Sequence, residues 1–304
     1  MRIATRSSPL AMWQARAVAT ALGAAGSSGG DIELVPVRTS GDLDVSTPIA
    51  QMSGRGVFVT EVQAAVLDGR ADAAVHSAKD MRSDPTPGLT LAGCLARGDV
   101  RDALVGLELD AIGHGGVVAT GSQRRQCQLA ALRPDLGFTG LRGNMARRIA
   151  TAGEPGIDAV IVAAAALERL GEAGQIAQRF TADEIVPQVG QGAIAIEHRT
   201  DDAQAAAAVG AIIDQATTRC VHAERSFLRT LGGGCDLPTG AYATLGADGH
   251  LHMTALLATP DRSDVVRTSG SDVDGLSLGA ALARDLMTRT GTVAAMWSAL
   301  GDDV

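Results

Sequence analysis

Short apolar runs that end in polar residues alternate with helical patterns through the first third of the chain. Ser8 and Pro9 supply a capping hydroxyl and a first-turn proline, which are typical of a helix N-terminus. Because strands and helices alternate, the pattern predicts an α/β domain with a parallel sheet. The predicted strands cover residues 2–5 and 32–37, and the predicted helices cover residues 10–22 and 60–67.

Residues 72–80 combine a small, apolar predicted strand with hydroxyl, amine and carboxylate groups at its end. Open α/β sheets bind ligands at the carboxyl ends of their strands. Lys79 lies in this segment and is the only lysine in 304 residues, in a chain that otherwise uses arginine. Its compact charge could contact an anion or act as a nucleophile. The segment indicates a ligand site, and a solvated surface lysine is the alternative.

The same pattern returns in a second unit, which we expect to begin near residue 101. Residues 117–122 resemble residues 3–7, since each is a strand-like run that ends in hydroxyls before a predicted helix. Residues 156–161 likewise resemble residues 70–75. Each similarity is only a few residues long. Together they predict two α/β domains of similar topology.

The rest of the chain predicts a return to the first domain and then a small third domain. A short strand over 193–196 follows the glycine-punctuated segment 189–192. From about residue 214 a helix, three alternating strands and a final helix predict an α+β domain. The predicted domains are residues 1–95 with 191–212, residues 96–190, and residues 213–304.

Composition narrows the class of protein. Apolar residues make up 46% and charged residues 20%, which is ordinary for a globular protein. A formal charge of −8 argues against nucleic-acid binding, which rests on excess Lys and Arg. The chain shows no signal-like apolar region and no membrane-length apolar run. Four scattered cysteines without a CxxC pair favour a reducing compartment, so we expect a cytoplasmic protein without membrane partners.

Arginines are concentrated between residues 124 and 148, where six of them accompany a single acid, Asp135. Hydroxyls precede two of these arginines at a predicted helix N-terminus, an arrangement that binds anions. A solvated basic face is the alternative. We favour a cleft lined for a ligand that carries many carboxylates or phosphates. The phosphate-binding motifs GxxxxGK[ST] and GxGxxG are absent, so nucleotide recognition is not indicated.

Cys235 follows three glycines, whose backbone freedom could present its thiol to a cleft. A small apolar filler in a turn is the alternative. Cys94, Cys127 and Cys220 have no comparable setting, and we interpret them as packing residues. His250 and a second histidine two residues later have no third ligand nearby, so no metal site is predicted.

Together these motifs resemble the porphobilinogen deaminase (hydroxymethylbilane synthase) family. The matching segments, in the family's order, are residues 2–11, 75–80, 122–128, 141–144, 189–193 and 233–235. The resemblance implies two periplasmic-binding-protein-like α/β domains facing a cleft, plus a small α+β C-terminal domain. It also implies a transferase that joins four porphobilinogen molecules head to tail onto a dipyrromethane cofactor, with loss of ammonia. Hydrolysis then releases the linear tetrapyrrole hydroxymethylbilane. We expect a monomer.

The resemblance assigns roles to individual residues. Asp80 matches the catalytic carboxylate, which stabilises the cation left by loss of ammonia and moves protons. Cys235 matches the cysteine that holds dipyrromethane through a thioether. Arg55 and Phe58 fall in the family's mobile lid. Each pyrrole carries an acetate and a propionate, which suits arginines and hydroxyls. The residues expected to bind cofactor or substrate are Arg6, Ser8, Ser77, Lys79, Thr120, Ser122, Arg124, Arg125, Arg142, Gly143, Arg148, Arg169 and Gln191.

Two other functions stay open. A non-catalytic binding module for a polycarboxylate would explain the arginines, but it would leave the Cys235 loop and the third domain unexplained. A Schiff-base role for Lys79 is the other. The chain also departs from the common family pattern at Gly121, Gln123 and Arg55. Asp236 is a further departure, and it adds negative charge beside a thiol that must react.

Overall fold

The computed structural model describes residues 1–26, 30–39, 58–232, 237–258 and 264–290. The chain forms two compact units, Met1–Gly98 with Gly192–Thr218 and Asp99–Gln191 with Arg219–Val304. The chain therefore passes between the units after Gly98, Gln191 and Thr218. The second unit contains both an α/β sheet and the C-terminal sheet, so the boundaries of a separate third domain stay a prediction. No described helix has the length and apolar character needed to span a membrane.

The regular elements are numbered in chain order. The strands are β1 (Arg2–Arg6), β2 (Glu33–Val37), β3 (Ala73–Ser77), β4 (Leu89–Cys94), β5 (Asp102–Gly106), β6 (Val117–Ala119), β7 (Gly137–Thr139), β8 (Ala159–Ala163), β9 (Ile176–Arg179), β10 (Ile194–Arg199), β11 (Thr239–Leu245), β12 (Leu251–Ala258) and β13 (Val265–Asp272). The described α-helices are α1 (Pro9–Ala24), α2 (Thr60–Leu67), α3 (Gln123–Leu132), α4 (Met145–Thr151), α5 (Ala164–Arg169), α6 (Ala203–Gly210), α7 (Gln215–Thr230) and α8 (Gly275–Thr290).

The first unit is built on a sheet of order β2-β1-β3-β10-β4. Strands β1, β2 and β3 are parallel, as predicted, but β10 runs antiparallel to both β3 and β4. The parallel pairing predicted for the strands of the first third of the chain is therefore confirmed, and the antiparallel direction of β10 is an addition that the pattern does not predict. The chain enters β10 beside the carboxyl end of β3, where Ile194 pairs with Ser77, so this strand must run in the opposite direction.

Helices cover both faces of this sheet. Successive strand residues point to opposite faces, and Ile3 accordingly packs with Val18 of α1 while Ala4 packs with Val62 of α2. The buried positions of α1 follow the helical spacing expected of one apolar face. Since aromatics are few, small and branched aliphatic residues build this core.

The second α/β sheet, of order β7-β6-β8-β5-β9, repeats the topology of the first. Strands β6, β7 and β8 are parallel, and β5 is antiparallel to β8 and β9. The segments that resemble each other in sequence lie on equivalent strands, β1 with β6 and β3 with β8. The predicted similarity of the two α/β domains is therefore confirmed.

The C-terminal sheet, β11-β12-β13, is antiparallel and packs against α7 and α8 around Phe227. Glu224 of α7 is fully buried and joins this sheet to the chain that precedes β10. Its Oε2 accepts from Gly190 N at 2.7 Å and its Oε1 accepts from Ala243 N at 2.9 Å. A buried carboxylate needs such partners, so Glu224 fixes both segments.

Helices α7 and α8 approach closely because Gly279 has no side chain. A Cβ at Gly279 would lie 2.2 Å from Ala223 O and 2.8 Å from Phe227 N. Backbone atoms cannot yield at these distances without moving one helix away from the other. The glycine is therefore required by the packing of the C-terminal domain.

Gly279→Ala should lower the free energy of unfolding by about 1–3 kcal/mol, the usual cost of overpacking, measured by urea denaturation. Gly210→Ala is the matched control, because a Cβ at the end of α6 meets nothing within 4 Å. This control should be neutral or should stabilise the protein by up to about 1 kcal/mol, since alanine favours helix. Equal destabilisation by both variants would contradict the packing argument.

Candidate functional site

The carboxyl end of β3 is held from both faces of the first sheet. Gln14 Nε2 of α1 donates to Ser77 Oγ at 2.8 Å, and Ser77 Oγ lies 3.1 Å from Gln14 Oε1. On the other face, His76 Nε2 lies 3.1 Å from Glu197 Oε2, which also accepts from Gln63 Nε2 at 2.8 Å. Buried polar contacts of this kind rigidify the elements that carry them.

The predicted catalytic residue, Asp80, lies in a 3-10 turn that directly follows β3, with the partly buried Lys79 beside it. Asp80 Oδ2 is 4.0 Å from Arg6 Nη1. The Arg6 guanidinium in turn stacks on Phe58, 4.1 Å from the ring centre. The first unit thus brings together three predicted site residues, Arg6, Phe58 and Asp80.

Ser8 caps α1, since its Oγ accepts from Ala11 N at 3.3 Å. This is the capping role that the sequence predicts. A serine hydroxyl that accepts from the backbone retains its own O–H donor. Ser8 can therefore cap the helix and contact a ligand at the same time.

In the second unit, Arg124 and Arg125 of α3 converge on one buried carboxylate, Asp102 at the start of β5. Arg124 Nη1 lies 2.7 Å from Asp102 Oδ2, and Arg125 donates to Oδ1 from Nε at 3.0 Å and from Nη2 at 2.7 Å. Burial alone would raise the pKa of Asp102, but the attraction and hydrogen bonds of the two arginines hold it well below its usual range. Desolvation lowers the pKa of Arg124, and Asp102 opposes that change.

Gln191 belongs to the same network. It is fully buried, and its Nε2 donates to Asp102 Oδ1 at 3.0 Å and to Val100 O at 2.8 Å. Sequence reasoning placed Gln191 in the site but did not single out Asp102. The sequence signal is weak, because Asp102 lies 23 residues before Arg125 and no motif joins them.

The hydroxyls that precede α3 organise its first turn. Thr120 is buried and its Oγ1 accepts from Ser122 N at 3.2 Å. Ser122 occupies the N-cap position without a side-chain cap bond. The structure therefore brings Thr120, Ser122 and the arginine pair to one helix N-terminus, as the sequence predicts.

The other predicted binding residues lie on neighbouring elements of the second unit. Arg148 Nε of α4 donates to Gly143 O at 2.9 Å. Gly143 has φ +95°, a left-handed conformation that favours glycine. Arg142 precedes this turn and is partly buried. Arg169 ends α5, and burial lowers the pKa of its guanidinium while Glu168 opposes the change.

Two arginines of the basic window have structural roles. Arg133 pairs with Asp135, 2.8 Å away, and donates to Leu109 O at 2.9 Å. Arg147 pairs with Glu154 at 2.8 Å. Neither Arg133 nor Arg147 is among the predicted binding residues, and the local excess of positive charge thus includes arginines that stabilise turns and helix ends.

Arg124 provides a test of whether the second unit suits a carboxylate-bearing cofactor. Its side chain is 3% exposed, and its Nε and Nη2 are buried without a hydrogen-bond partner among the described residues. Leaving buried donors unsatisfied is costly, and guanidinium groups bind carboxylates strongly. The side chain therefore fits a ligand that carries carboxylates.

The strand that follows the Cys235 segment passes directly beside Arg124. A Cβ at Gly240 would lie 3.1 Å from Arg124 Cδ and 2.8 Å from Pro187 O. Ala241 N donates to the same carbonyl at 3.0 Å. Cys235 itself, its neighbour Asp236, and the predicted lid residue Arg55 lie outside the described residues.

The three other cysteines lie in the protein interior, and His250 is partly exposed. Cys94, Cys127 and Cys220 are buried, as expected of packing residues. His250 Nδ1 lies 3.3 Å from Asp248 Oδ2. Within the described ranges, no group of three or more His, Cys, Asp or Glu is placed to hold a metal ion.

Two solved structures illustrate how the fold compares with known proteins. A YaeC-family lipoprotein from Enterococcus faecalis V583 is 13% identical, with a TM-score of 0.43, over 71% of this chain and 91% of its own. A TRAP periplasmic solute binding protein from Pseudomonas putida F1, with bound D-glucuronate, is 10% identical, with a TM-score of 0.38, over 75% of this chain and 80% of its own. At these values neither likeness bears on function.

Comparison with models of known protein families is far more specific than these structural likenesses. Residues 1–207 match the family described as "Porphobilinogen deaminase, dipyromethane cofactor binding domain". Residues 218–288 match "Porphobilinogen deaminase, C-terminal domain". The predicted dipyrromethane cofactor is confirmed as the cofactor of the matched domain, and membership implies a transferase. The two matches span nearly all of the chain, which therefore belongs to the porphobilinogen deaminase family.

Proposed function

We propose that the protein is a hydroxymethylbilane synthase, which condenses four porphobilinogen molecules head to tail with loss of ammonia and releases the linear tetrapyrrole by hydrolysis. The observation that carries this proposal is the buried Arg124, whose unpartnered donors lie beside the strand that leaves the Cys235 segment. An attached group rich in carboxylates would satisfy those donors. Dipyrromethane, built from pyrroles that each carry an acetate and a propionate, is such a group.

The second unit supplies the binding groups of the proposal. Arg124 and Arg125 bind carboxylates from the first turn of α3, and Thr120 and Ser122 add hydroxyls there. Arg142, Arg148 and Arg169 extend the same chemistry, with Gly143 shaping the turn before α4. Cys235 attaches the cofactor through its sulfur. When bound, dipyrromethane supplies the carbon to which the first substrate is joined.

Asp80 of the first unit is the catalytic group of the proposal. A carboxylate can hold and move a proton at its oxygen and can stabilise the positive charge that develops when ammonia leaves. Arg6 lies 4.0 Å away and supplies a positive charge beside it, and the Arg6 guanidinium stacks on Phe58. The hydrogen bonds of Ser77 with Gln14 and the close contact of His76 with Glu197 hold the preceding strand end, which places the turn that carries Asp80.

The other predicted site residues of the first unit complete the proposal. Lys79 and Ser8 contact ligand carboxylates or hydroxyls, and Arg55 with Phe58 belongs to a segment that closes over the substrate. A Schiff-base role for Lys79 is not needed, because Cys235 supplies the covalent attachment. The cytoplasmic location and the monomeric state are part of the same proposal. Size-exclusion chromatography with light scattering would test the monomer.

Intact mass spectrometry tests the cofactor assignment. The purified protein should exceed its sequence mass by two linked pyrrole units, and Cys235→Ser should abolish this excess because no other sulfur is proposed to attach the group. Cys220→Ala is the matched control, since Cys220 is a buried packing residue, and it should retain the added mass. Active wild-type protein at the bare sequence mass would contradict the proposal.

Substitution of Asp80 tests the catalytic assignment. Asp80→Ala should retain the fold and the added mass but should lose about 100-fold or more in kcat, which is the range for a positioned acid–base group. The measurement is porphobilinogen consumption with ammonia release. Asp68→Ala, which removes an exposed carboxylate of the same unit, should be unaffected. A pure binding module would show saturable ligand binding and no ammonia from the wild type.

A further inference from the structure

Asp102 is a fully buried carboxylate that none of the sequence motifs singles out. It accepts hydrogen bonds or ion pairs from two consecutive residues of α3. Consecutive residues of a helix point about 100° apart, so the side chains of Arg124 and Arg125 would diverge without a common partner. The two guanidinium groups nevertheless meet at one carboxylate.

We propose that Asp102 is a positioning residue that holds Arg124 and Arg125 as a single anion-binding unit. This inference rests on the proposed function, because it concerns how those arginines meet the carboxylates of cofactor and substrate. Two guanidinium groups and one carboxylate leave one positive charge. Asp102 therefore reduces the repulsion between the arginines while preserving a net attraction for anions.

The two arginines are used differently within this unit. Arg125 Nε and Nη2 both donate to Asp102 Oδ1, and its Nη1 donates to Ile161 O at 3.2 Å. Arg124 contributes only Nη1 to the network, which lies 2.7 Å from Asp102 Oδ2 and also donates to Val186 O at 2.7 Å. Its Nε and Nη2 have no hydrogen-bond partner in the described part of the chain. Asp102 thus holds the Nη1 of Arg124 and leaves Nε and Nη2 to donate to a ligand.

Gln191 belongs to this positioning unit as well. Its Nε2 donates to Asp102 Oδ1 and to Val100 O, which ties the carboxylate to the chain just before β5. Since Gln191 is fully buried, its effect on binding runs at least partly through Asp102. The Asp102 carboxylate therefore has partners on three sides, and its position is fixed before any ligand arrives.

Asp102→Asn is the first test, because asparagine keeps the shape and removes the charge. The fraction of protein that carries the added cofactor mass should fall about tenfold after incubation with porphobilinogen, a loss in the range of the coupling between residues of one ion-pair network. In the loaded fraction, KM for porphobilinogen should rise about tenfold while kcat stays within about threefold. Asp135→Asn is the matched control, because it removes an acid paired with Arg133 in the same unit, and it should change neither quantity.

A comparison in the Arg125→Gln background keeps the test decisive if Asp102→Asn alone does not fold. Arg125→Gln leaves the balanced pair of Asp102 and Arg124, and adding Asp102→Asn restores the net charge of the native network. If Asp102 positions Arg124, the added substitution should lower cofactor occupancy and raise KM further than Arg125→Gln alone. No further change, or an equal loss in Asp135→Asn, would overturn the inference.

The wild type measured in parallel separates this inference from the proposed function. If the wild type has only its sequence mass and does not consume porphobilinogen, both the proposed function and the positioning role of Asp102 are overturned. If the wild type carries the cofactor and is active, and the Asp102→Asn variant carries as much cofactor and has a normal KM, only the positioning role of Asp102 is overturned.

Discussion

A charged carboxylate without solvent exposure constrains everything around it, and Asp102 is such a group in this protein. Removing one partner of a buried ion pair typically costs about 3–5 kcal/mol, against a total stability of about 5–15 kcal/mol for a typical domain. The strand that carries Asp102 and the helix that carries Arg124 and Arg125 must therefore keep their relative positions for the fold to persist. Because the same arginines are proposed to bind carboxylates, the requirements of folding and of ligand binding fall on the same two side chains.

The first unit also contains a buried acid that connects separate elements, although the residues differ. Glu197, on the antiparallel strand β10, is buried against His76 of β3 and Gln63 of α2. Its strand is equivalent to that of Asp102, because β10 and β5 occupy the same place in the two sheet orders, but the register differs, since Glu197 pairs with Ala74 near the start of β3 and Asp102 pairs with Ala163 at the end of β8. In each unit the antiparallel strand thus contributes a buried acid whose partners lie on a helix or a neighbouring strand. Exposed ion pairs would be too weak to hold a site in this way, since they contribute about 0–1 kcal/mol.

The sequence predicts the parts of this arrangement that are local. Strand ends with hydroxyls, the capping Ser8 and the arginines of α3 are recognisable because residue type and spacing determine them over a few positions. The repeated segments correctly predict equivalent strands in two sheets. The direction of β10 is not predictable from its own residues, because a short apolar run has the same sequence pattern in a parallel and in an antiparallel strand.

Pairs of buried polar residues show most clearly what cannot be predicted from the sequence. Gln63 and Glu197 are 134 residues apart, and Gln191 and Asp102 are 89 apart, so no local spacing links them. What the sequence does contain is a glutamine within the buried face of α1 and another within that of α2. A polar residue at such a position must find a partner or incur the cost of desolvation. That requirement predicts that a partner exists, but only the tertiary fold identifies it.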